Sequence, residues 1–400
     1  MIDLKAARND AGSYRAALAR KGAGDTFDGL LAADERWRTL VPRIDELRGR
    51  TKLKGKPSPE QLAELQGVKE ELRAAEEELA AAEAARDELL AQVPNPPHES
   101  VPDGSEEDDA IELSRTGEPP QLAEAREHTE IGRFDIERAA RLSGSRFGYL
   151  IGDTALVAFA LYRAALDHLA QNGFTPVIPP VLVREEAMTG TGFFPTERSN
   201  IYALADDDLY LTGTSEVALA GLHMGEILPA EELPLRYAGF STNFRREAGA
   251  AGKDTRGMFR VHQFNKVEMF VYIRPDDSWA EHDRLLELEE AFLRTLELPY
   301  RVVNVAAGDL GAPAAKKYDI EAWFPSQERY REITSCSNTT DFQARRLGIR
   351  FRGETGSPEP VHTLNGTMVT DRALLAILEN FQGEVPDALR EFGAPERVTR

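Results

Sequence analysis

The chain has 400 residues, of which 42% are hydrophobic, and it carries a formal net charge of −20. This length suggests two or three domains, and the apolar fraction is large enough to build a core, which excludes a disordered chain. The acidic balance argues against a nonspecific nucleic-acid binder, so an RNA partner would need a local basic patch. Cys336 is the only cysteine, which excludes internal disulfides and cysteine-rich zinc sites.

No targeting or membrane-spanning segment is visible in the sequence. Met1 is followed by a charged, mixed stretch instead of the apolar core of a signal peptide, and no run of 18 apolar residues follows. These features predict a soluble, cytoplasmic protein that does not associate with membranes. The seven histidines are scattered without ligand spacing, so no structural metal is predicted.

Residues 27–93 carry two heptad seams, in which apolar residues alternate at spacings of three and four. The seams consist of Leu30, Ala33, Trp37, Leu40, Ile44 and Leu47, and of Leu65, Val68, Leu72, Ala75, Leu79, Ala82 and Leu89. Between them, Gly55 and Pro57 interrupt the helix, and Ser58 with Gln61 has the form of a capping box. The pattern predicts two helices that fold back as an antiparallel coiled coil.

Basic residues crowd the predicted tip of this hairpin. They are Arg48, Arg50, Lys52, Lys54 and Lys56. A local basic cluster on an acidic protein is typical of a phosphate binder, so the tip is predicted to bind a nucleic acid. The pattern alone is equally consistent with a dimerisation or scaffold coiled coil whose charges form a solvated face.

A proline-rich and acidic stretch, residues 94–120, is typical of a linker, and it leads to a predicted boundary between residues 1–110 and 111–400. The second domain has strand-like runs at 177–178, 208–212, 235–244, 259–273 and 300–305, and helices at 154–171 and 278–296. Because the strands do not alternate regularly with helices, we predict an α+β fold with an antiparallel sheet flanked by helices. No P-loop or Gly-x-Gly-x-x-Gly motif is present.

The strand predicted at 259–273 has a polar face. With a period of two, Arg260, His262, Phe264, Lys266 and Glu268 share one side of it. A cation, an aromatic ring and a carboxylate at these spacings suit a nucleotide-binding floor beside a polar substrate group. An exposed strand face with ordinary cross-strand ion pairs would give the same pattern.

The segment before this strand is more specific. The sequence Phe244-Arg245-Arg246-Glu247, a loop and then Arg260-Val261-His262-Gln263-Phe264 resembles the second signature motif of class II aminoacyl-tRNA synthetases. The whole chain is similar to bacterial seryl-tRNA synthetases, including residues 94–98, 143–147 and 189–192, motif 1 at 173–180 and motif 3 around Arg372. The resemblance implies a class II synthetase fold, a homodimer, and an N-terminal coiled-coil arm that binds tRNA.

The resemblance also implies roles for individual residues. It assigns serine binding to Thr214, Ser215, Glu216, Arg245, Glu268, Asn365 and Thr367. It assigns ATP binding to Arg245, Arg246, Glu247, Arg260, Val261, Phe264, Glu332, Ile333, Thr334, Ser335 and Arg372. Mg²⁺ is placed on Glu332 and Ser335, whose oxygen atoms suit a hard cation. Taken alone, residues 211–216 would be interpreted as a cap followed by a helix.

These assignments imply a serine–tRNA ligase. L-serine would attack the α-phosphorus of ATP, and the seryl-adenylate would be transferred to the 3′ end of tRNA(Ser), with tRNA(Sec) as a second candidate acceptor. One alternative is a related enzyme that activates serine for a small molecule or a carrier protein, which the basic arm disfavours. The other is a noncatalytic tRNA-binding regulator, which the complete set of site residues disfavours.

Asp371 is the residue near the predicted site that departs most from the family pattern, because it places an acid next to Arg372. Neighbouring residues at a strand end point to opposite sides. We therefore expect Asp371 to face solvent or a basic neighbour and to leave Arg372 free.

Overall fold

The computed structural model describes residues 1–52, 58–248, 254, 257–353 and 356–399. The chain divides into two compact units, Met1–Pro96 and Pro97–Arg400. This division lies at the beginning of the proline-rich stretch, before the boundary predicted at residue 110. The backbone N–H of His98 donates to the carbonyl of Ala315 (2.8 Å), which ties the start of the stretch into the second unit. Within the described ranges, every helix is too short or too polar to cross a membrane.

The first unit is helical. It contains α1 (Leu4–Asn9), α2 (Ala11–Ala19), α3 (Gly24–Arg50) and α4 (Pro59–Gln92). Helices α3 and α4 are antiparallel, since Arg36 pairs with Glu78 while Arg43, further along α3, pairs with Glu71. The predicted coiled-coil hairpin is therefore confirmed.

The predicted capping box starts helix α4. The N–H of Gln61 donates to Ser58 Oγ (3.2 Å), and the N–H of Ser58 donates to Gln61 Oε1 (2.8 Å). Two backbone donors at the beginning of the helix are thus satisfied by side chains, and Pro59 fills the first helical position, where an N–H is not needed.

Two apolar clusters hold the hairpin together. The base cluster joins Phe27, Leu30 and Val93 to buried residues of α1 and α2, and the distal cluster contains Ile44 and Val68 with their neighbours on both helices. Between the clusters, the buried carboxylate of Asp34 accepts a hydrogen bond from Arg8 (2.9 Å), so this acid inside the seam carries its own counter-ion.

The second unit combines strands and helices. In chain order they are β1 (Ile111–Thr116), α5 (His128–Ile131), β2 (Phe134–Asp135), α6 (Ile136–Ser143), β3 (Tyr149–Leu150), α7 (Asp153–Gln171), β4 (Thr175–Val177), β5 (Leu182–Val183), α8 (Glu185–Thr191), β6 (Ala203–Leu204), β7 (Leu209–Leu211), α9 (Glu216–Ala220), β8 (Ile227–Leu228), β9 (Leu235–Phe244), β10 (Gln263–Ile273), α10 (Ser278–Thr295), β11 (Tyr300–Asn304), β12 (Lys316–Phe324), β13 (Arg329–Thr340), α11 (Phe342–Leu347), β14 (Arg350–Arg352), β15 (Pro358–Pro360), β16 (His362–Thr370), α12 (Asp371–Phe381) and α13 (Asp387–Arg390).

The main sheet has the order β1-β11-β12-β13-β16-β10-β9-β4, and its neighbours are antiparallel except for β4 and β9, which run parallel. The predicted α+β fold with an antiparallel sheet is confirmed. Helices α7, α10 and α12 share one large apolar core with the sheet, to which β10 contributes Val267 and Met269. Because side chains alternate along a strand, the neighbouring Lys266 and Glu268 point away from these helices.

Four strands of the main sheet were not predicted, and β10 starts later than predicted. Strand β10 begins at Gln263 instead of Phe259, so Arg260 and His262 precede the strand. The strands without a prediction are β1, β12, β13 and β16, and β1 lies within the stretch interpreted as a linker. Strand β13 is rich in serine, threonine and charged residues along its whole length, so it lacks the apolar alternation by which a strand is recognised.

Candidate active site

A cavity of about 490 Å³ lies on the polar side of strands β10, β13 and β16. The predicted residues that line it are Thr214, Glu216, Arg245, Glu247, Arg260, Val261, Phe264, Glu268, Glu332, Ile333, Thr334, Ser335, Asn365, Thr367 and Arg372. The structure thus brings together residues from segments that are more than 150 positions apart in the chain.

Two predicted residues do not line this cavity. Ser215 is 1% exposed and lies just before α9, where its carbonyl accepts the N–H of Leu219 (2.9 Å). Arg246 lies between Arg245 and Glu247 and points away from them, with its guanidinium 5.9 Å from the ring centroid of Tyr202. Side chains alternate in direction along an extended segment, which explains why Arg246 points away from its two neighbours. For Ser215, packing of the helix start buries the side chain behind the cavity wall.

Glu216 forms one end of the cavity. It is 8% exposed, and its Oε1 accepts hydrogen bonds from Gln343 Nε2 (2.7 Å) and Asn365 Nδ2 (3.0 Å). Burial, and then the charge of Glu268, raise the pKa of Glu216 to about 7. A carboxylate held in this way can bind an ammonium group. Gln343 was missed because it lies on α11, outside every recognised motif, and no local sequence signal indicates it.

Glu268 forms the floor near Glu216. Its carboxylate is 1% exposed, makes an ion pair with Lys266, and accepts a hydrogen bond from Thr367 Oγ1 (3.4 Å). Burial raises the pKa of Glu268, while Lys266 acts in the opposite direction. Lys266 was placed on the polar face of the strand by its spacing, but it was not named as a site residue.

An aromatic ring and a guanidinium lie at the centre of the cavity. The Cζ of Arg245 is 5.2 Å from the ring centroid of Phe264, and Arg245 Nε donates to the carbonyl of Gly213 (3.1 Å). This hydrogen bond fixes the guanidinium while leaving its other N–H groups available. A planar fork next to a ring suits a ligand that combines anionic oxygens with an aromatic base.

The remaining cations of the cavity already have carboxylate partners. Arg260 donates to Glu247 (2.7 Å), and Arg372 donates to the carboxylate and to the carbonyl of Glu332, both at 3.0 Å. The guanidinium of Arg372 also lies 4.5 Å from the ring centroid of Phe259. A polyanionic ligand would have to exchange with these carboxylates, or bind beside them, to reach the two arginines.

The donors present fit a magnesium ion bound together with a phosphate ligand. Glu332 offers a carboxylate and Ser335 a hydroxyl, and both line the cavity. The described residues contain no cluster of three or more acidic, histidine or cysteine side chains that could hold a metal by themselves. Mg²⁺ commonly uses one or two carboxylates and completes its shell with water and substrate phosphates, so two protein oxygens suffice.

The expectation for Asp371 was wrong about its surroundings, although Arg372 pairs with Glu332 instead of with this acid. Asp371 is partly exposed and lines the cavity, and its carboxylate accepts hydrogen bonds from the Tyr162 hydroxyl and from the N–H of Asn265 (3.0 Å). Removal from water raises the pKa of Asp371 to about 6. Strand alternation does not apply to Asp371, because β16 ends at Thr370 and Asp371 is the first residue of α12.

Comparison with known proteins agrees with this arrangement. Residues 1–97 match the family model of the seryl-tRNA synthetase N-terminal domain, and residues 201–381 match that of the tRNA synthetase class II core domain (G, H, P, S and T). The serine–tRNA ligase of Mycolicibacterium vanbaalenii is 48% identical and covers 100% of this chain and 99% of its own length. That of Acidothermus cellulolyticus is 50% identical and covers 98% of each.

Two solved structures are similar over almost the whole chain. The crystal structure of seryl-tRNA synthetase from Pyrococcus horikoshii complexed with ATP has a TM-score of 0.92 and 40% identity, covering 100% of this chain and 99% of that one. The cytoplasmic serine–tRNA ligase from Naegleria fowleri in complex with AMP has a TM-score of 0.86 and 33% identity, covering 96% and 95%.

Proposed function

The chain belongs to the seryl-tRNA synthetase family of class II aminoacyl-tRNA synthetases, and we propose that it is a serine–tRNA ligase that uses ATP to load L-serine onto tRNA(Ser). The observation that carries the proposal is the cavity that unites two buried carboxylates, Glu216 and Glu268, with Arg245, Phe264 and Arg372. Together, these side chains can bind an ammonium group, a hydroxyl, a carboxylate, an adenine ring and phosphates within the same cavity. The matched N-terminal domain favours tRNA over a small-molecule or protein acceptor.

In the amino-acid half of the cavity, Glu216 pairs with the serine ammonium, supported by Thr214. Glu268 accepts the serine hydroxyl, with Asn365 and Thr367 on the same wall. Lys266 opposes the raising of the pKa of Glu268 by burial, and the ionised carboxylate acts only as an acceptor. An analogue without the hydroxyl would leave this buried carboxylate with one donor fewer beside Lys266 and Thr367, which is the physical basis of selection.

In the nucleotide half, Phe264 stacks on adenine and Glu247 binds its edge, with Val261 beside the ring. Arg245 bridges the serine carboxylate and the α-phosphate, and Arg260 and Arg372 hold the outer phosphates. A carboxylate oxygen of serine attacks the α-phosphorus, and pyrophosphate leaves on the opposite side. Positioning and charge stabilisation accomplish this step without a covalent enzyme intermediate.

Glu332 and Ser335 would hold Mg²⁺, in a wall that also includes Ile333 and Thr334. The ion would supply positive charge to the phosphates. Lys317, which the sequence interpretation did not single out, lies in the same wall with its Nζ 3.0 Å from Asp319. It adds a fixed protein cation to this end of the cavity.

The protein acts as a cytoplasmic homodimer, and tRNA(Sec) is a second acceptor to test. Large apolar side chains are exposed in and before the segment that resembles motif 1: Leu156 (51% exposed), Phe159 (67%) and Ile178 (87%). Exposed apolar residues of this size in neighbouring elements are typical of an interface. A second copy of the chain is the partner that the family resemblance indicates.

Two assays, run one after the other, distinguish a serine–tRNA ligase from an enzyme with a different acceptor and from a noncatalytic regulator. Serine-dependent exchange of pyrophosphate into ATP is expected first, and serine charging of bulk tRNA second. Exchange without charging would indicate a different acceptor for the activated serine. A protein that binds tRNA but supports neither reaction would be a regulator, and the proposed function would be wrong.

The pH dependence of serine activation should report on Glu216. Because its pKa is raised to about 7, the ionised form that pairs with the ammonium is complete above that pH and is lost as the pH falls through 7. The kcat/KM for serine is then expected to fall by about tenfold per pH unit well below 7. Pyrophosphate exchange measured from pH 5.5 to 8.5 gives the profile.

A matched variant identifies the titrating group. Gln343→Met removes the hydrogen bond that lowers the pKa of Glu216, so its profile should move to higher pH. A wild-type profile that is flat down to pH 5.5, or an unshifted profile in Gln343→Met, would show that Glu216 does not control serine binding.

The residues of the predicted basic tip are not equivalent. Arg48 pairs with Glu76 (2.8 Å), whereas Arg50 and Lys52 are exposed and have no ion-pair partner among the described residues; Lys54 and Lys56 lie outside the described residues. Replacing Arg50, Lys52, Lys54 and Lys56 together by alanine is expected to weaken tRNA binding. The slope of log Kd against log salt should shrink by about 0.7–0.9 for each phosphate that the variant no longer neutralises.

Filter binding at several salt concentrations measures both effects. Arg43→Ala is the control, because Arg43 already pairs with Glu71 (3.3 Å) and its removal should leave the slope nearly unchanged. If the four-residue variant binds tRNA with the wild-type slope, the tip is a solvated surface and the binding site lies elsewhere.

A further inference from the structure

Three elements of the second unit meet at the carboxylate of Asp371. It opens helix α12, and it accepts one hydrogen bond from the Tyr162 hydroxyl on α7 and another from the N–H of Asn265 on β10 (3.0 Å). Each carboxylate oxygen therefore has its own donor. Asp371 itself lines the cavity, whereas neither donor is among the described lining residues, and the reaction described above gives the cluster no role.

The Asn265 contact extends the sheet. Strands β10 and β16 pair up to Lys266 opposite Thr370, and the next positions in that register are Asn265 and Asp371. Here the chain leaves β16 and turns into α12, so a side-chain oxygen of Asp371 replaces the backbone acceptor that the strand would have provided. At this point β10 is already paired with β9 along its other edge, and the Asp371 contact holds the edge that faces β16 as well.

This stretch of β10 carries the ring on which adenine is proposed to stack. Asn265 directly follows Phe264, which lines the cavity, and Asn265 Oδ1 also accepts from Thr242 Oγ1 (2.8 Å) on β9. On the other side of the cluster, Asp371 directly precedes Arg372, whose N–H donates to Thr370 Oγ1 (3.2 Å). The cluster thus lies between the base-stacking residue and the phosphate-binding residue.

Tyr162 supplies a rigid support for this arrangement. It is 4% exposed, and its ring packs against Phe240 with centroids 5.3 Å apart. Helix α7, which carries it, contributes a full face of apolar residues to the core. A carboxylate removed from water needs donors of this kind, since without them its burial would be costly.

We propose that Asp371 and Tyr162 are positioning residues for ATP, which fix the distance between Phe264 and Arg372 by tying β10 and the start of α12 to α7. The inference rests on the proposed function of the cavity. The opposite role, in which Asp371 competes with the phosphates for Arg372, does not fit the contacts. Both oxygens of Asp371 face other donors, and Arg372 is paired with Glu332.

The test compares substitutions that remove parts of the cluster. Asp371→Ala removes both hydrogen bonds and is expected to raise the ATP KM by about tenfold, while Tyr162→Phe removes one and is expected to raise it by about threefold. The serine KM should stay within about twofold in both, because Glu216 and Glu268 do not touch the cluster. Asp371→Asn keeps an acceptor for the N–H of Asn265 and should restore most of the ATP affinity.

Asp153→Asn is the matched control. Asp153 opens helix α7 as Asp371 opens α12, and its carboxylate accepts from the N–H (2.9 Å) and the hydroxyl of Thr399, away from the cavity lining. Its substitution should leave both KM values unchanged. Urea unfolding midpoints of all variants separate a local effect from a loss of stability.

Three results would each overturn the inference. They are an unchanged ATP KM in Asp371→Ala and Tyr162→Phe, an equal rise in the ATP and serine KM values, and tighter ATP binding in Asp371→Ala. If Asp371→Ala does not fold, Tyr162→Phe, which keeps the ring in the core, decides alone. Calorimetric titration with ATP gives the same comparison without turnover, so a wild-type protein that fails pyrophosphate exchange would refute the proposed function without leaving this question open.

Discussion

Replacing Glu268 by alanine is expected to remove most of the preference of this protein for serine over alanine. In the intact cavity, an alanine substrate leaves the carboxylate of Glu268 without the hydroxyl donor, with Lys266 and the Thr367 hydroxyl (3.4 Å) as its protein partners. A buried acceptor that loses its donor costs ~1–3 kcal/mol or more, which corresponds to a preference on the order of 10- to 100-fold. Pyrophosphate exchange with each amino acid measures the ratio of the two kcat/KM values.

A second buried carboxylate provides the control. Glu289 is fully buried next to the sheet and accepts a hydrogen bond from Thr334 Oγ1 (3.1 Å), but it does not line the cavity. Burial raises the pKa of Glu289 well above its usual range, so the isosteric Glu289→Gln changes little in charge. It should leave the serine preference intact. If the wild-type protein activates alanine as well as serine, Glu268 does not select the substrate.

The parts of the molecule that were predictable from sequence are those in which burial leaves a regular trace. The heptad seams indicated the hairpin because each helix buries one stripe, and the period of two along β10 placed Phe264, Lys266 and Glu268 on one side. The side chains between them fill the core, and this contrast between the two faces makes the pattern visible.

The parts that were not predictable depend on contacts between distant segments. Gln343 reaches Glu216 from 127 residues away, and folding brings Thr367, 101 residues along the chain, next to Lys266. Strand β13 faces the cavity with polar side chains, so the property that makes it functional also removes its strand signal. Asp371 was misjudged for a related reason, since its partner on α7 lies 209 residues earlier in the chain.

Removing the arm is expected to abolish tRNA charging and to spare serine activation. Replacing residues 27–93 would also delete Phe27, Leu30 and Val93, which pack in the base cluster with residues of α1 and α2. A shorter cut is therefore the better design: a Gly/Ser loop in place of residues 41–73 keeps the base cluster and removes most of the distal one. The pair of Arg36 with Glu78 lies outside the replaced residues and keeps the two remaining helical segments together.

The physical reason for the expected asymmetry is that ATP and serine are proposed to bind inside the second unit, whereas tRNA is proposed to bind at both the arm and the second unit. A ligand held at two linked sites gains about 10²- to 10⁴-fold in avidity over either site alone, so removal of the arm should lower the charging kcat/KM by a factor of this order. Pyrophosphate exchange, which needs no tRNA, should remain within about twofold, and it serves as the control for correct folding of the shortened protein. Wild-type charging by a shortened protein that also exchanges normally would make the hairpin a scaffold. Loss of both reactions would show instead that the second unit depends on the arm for its own structure.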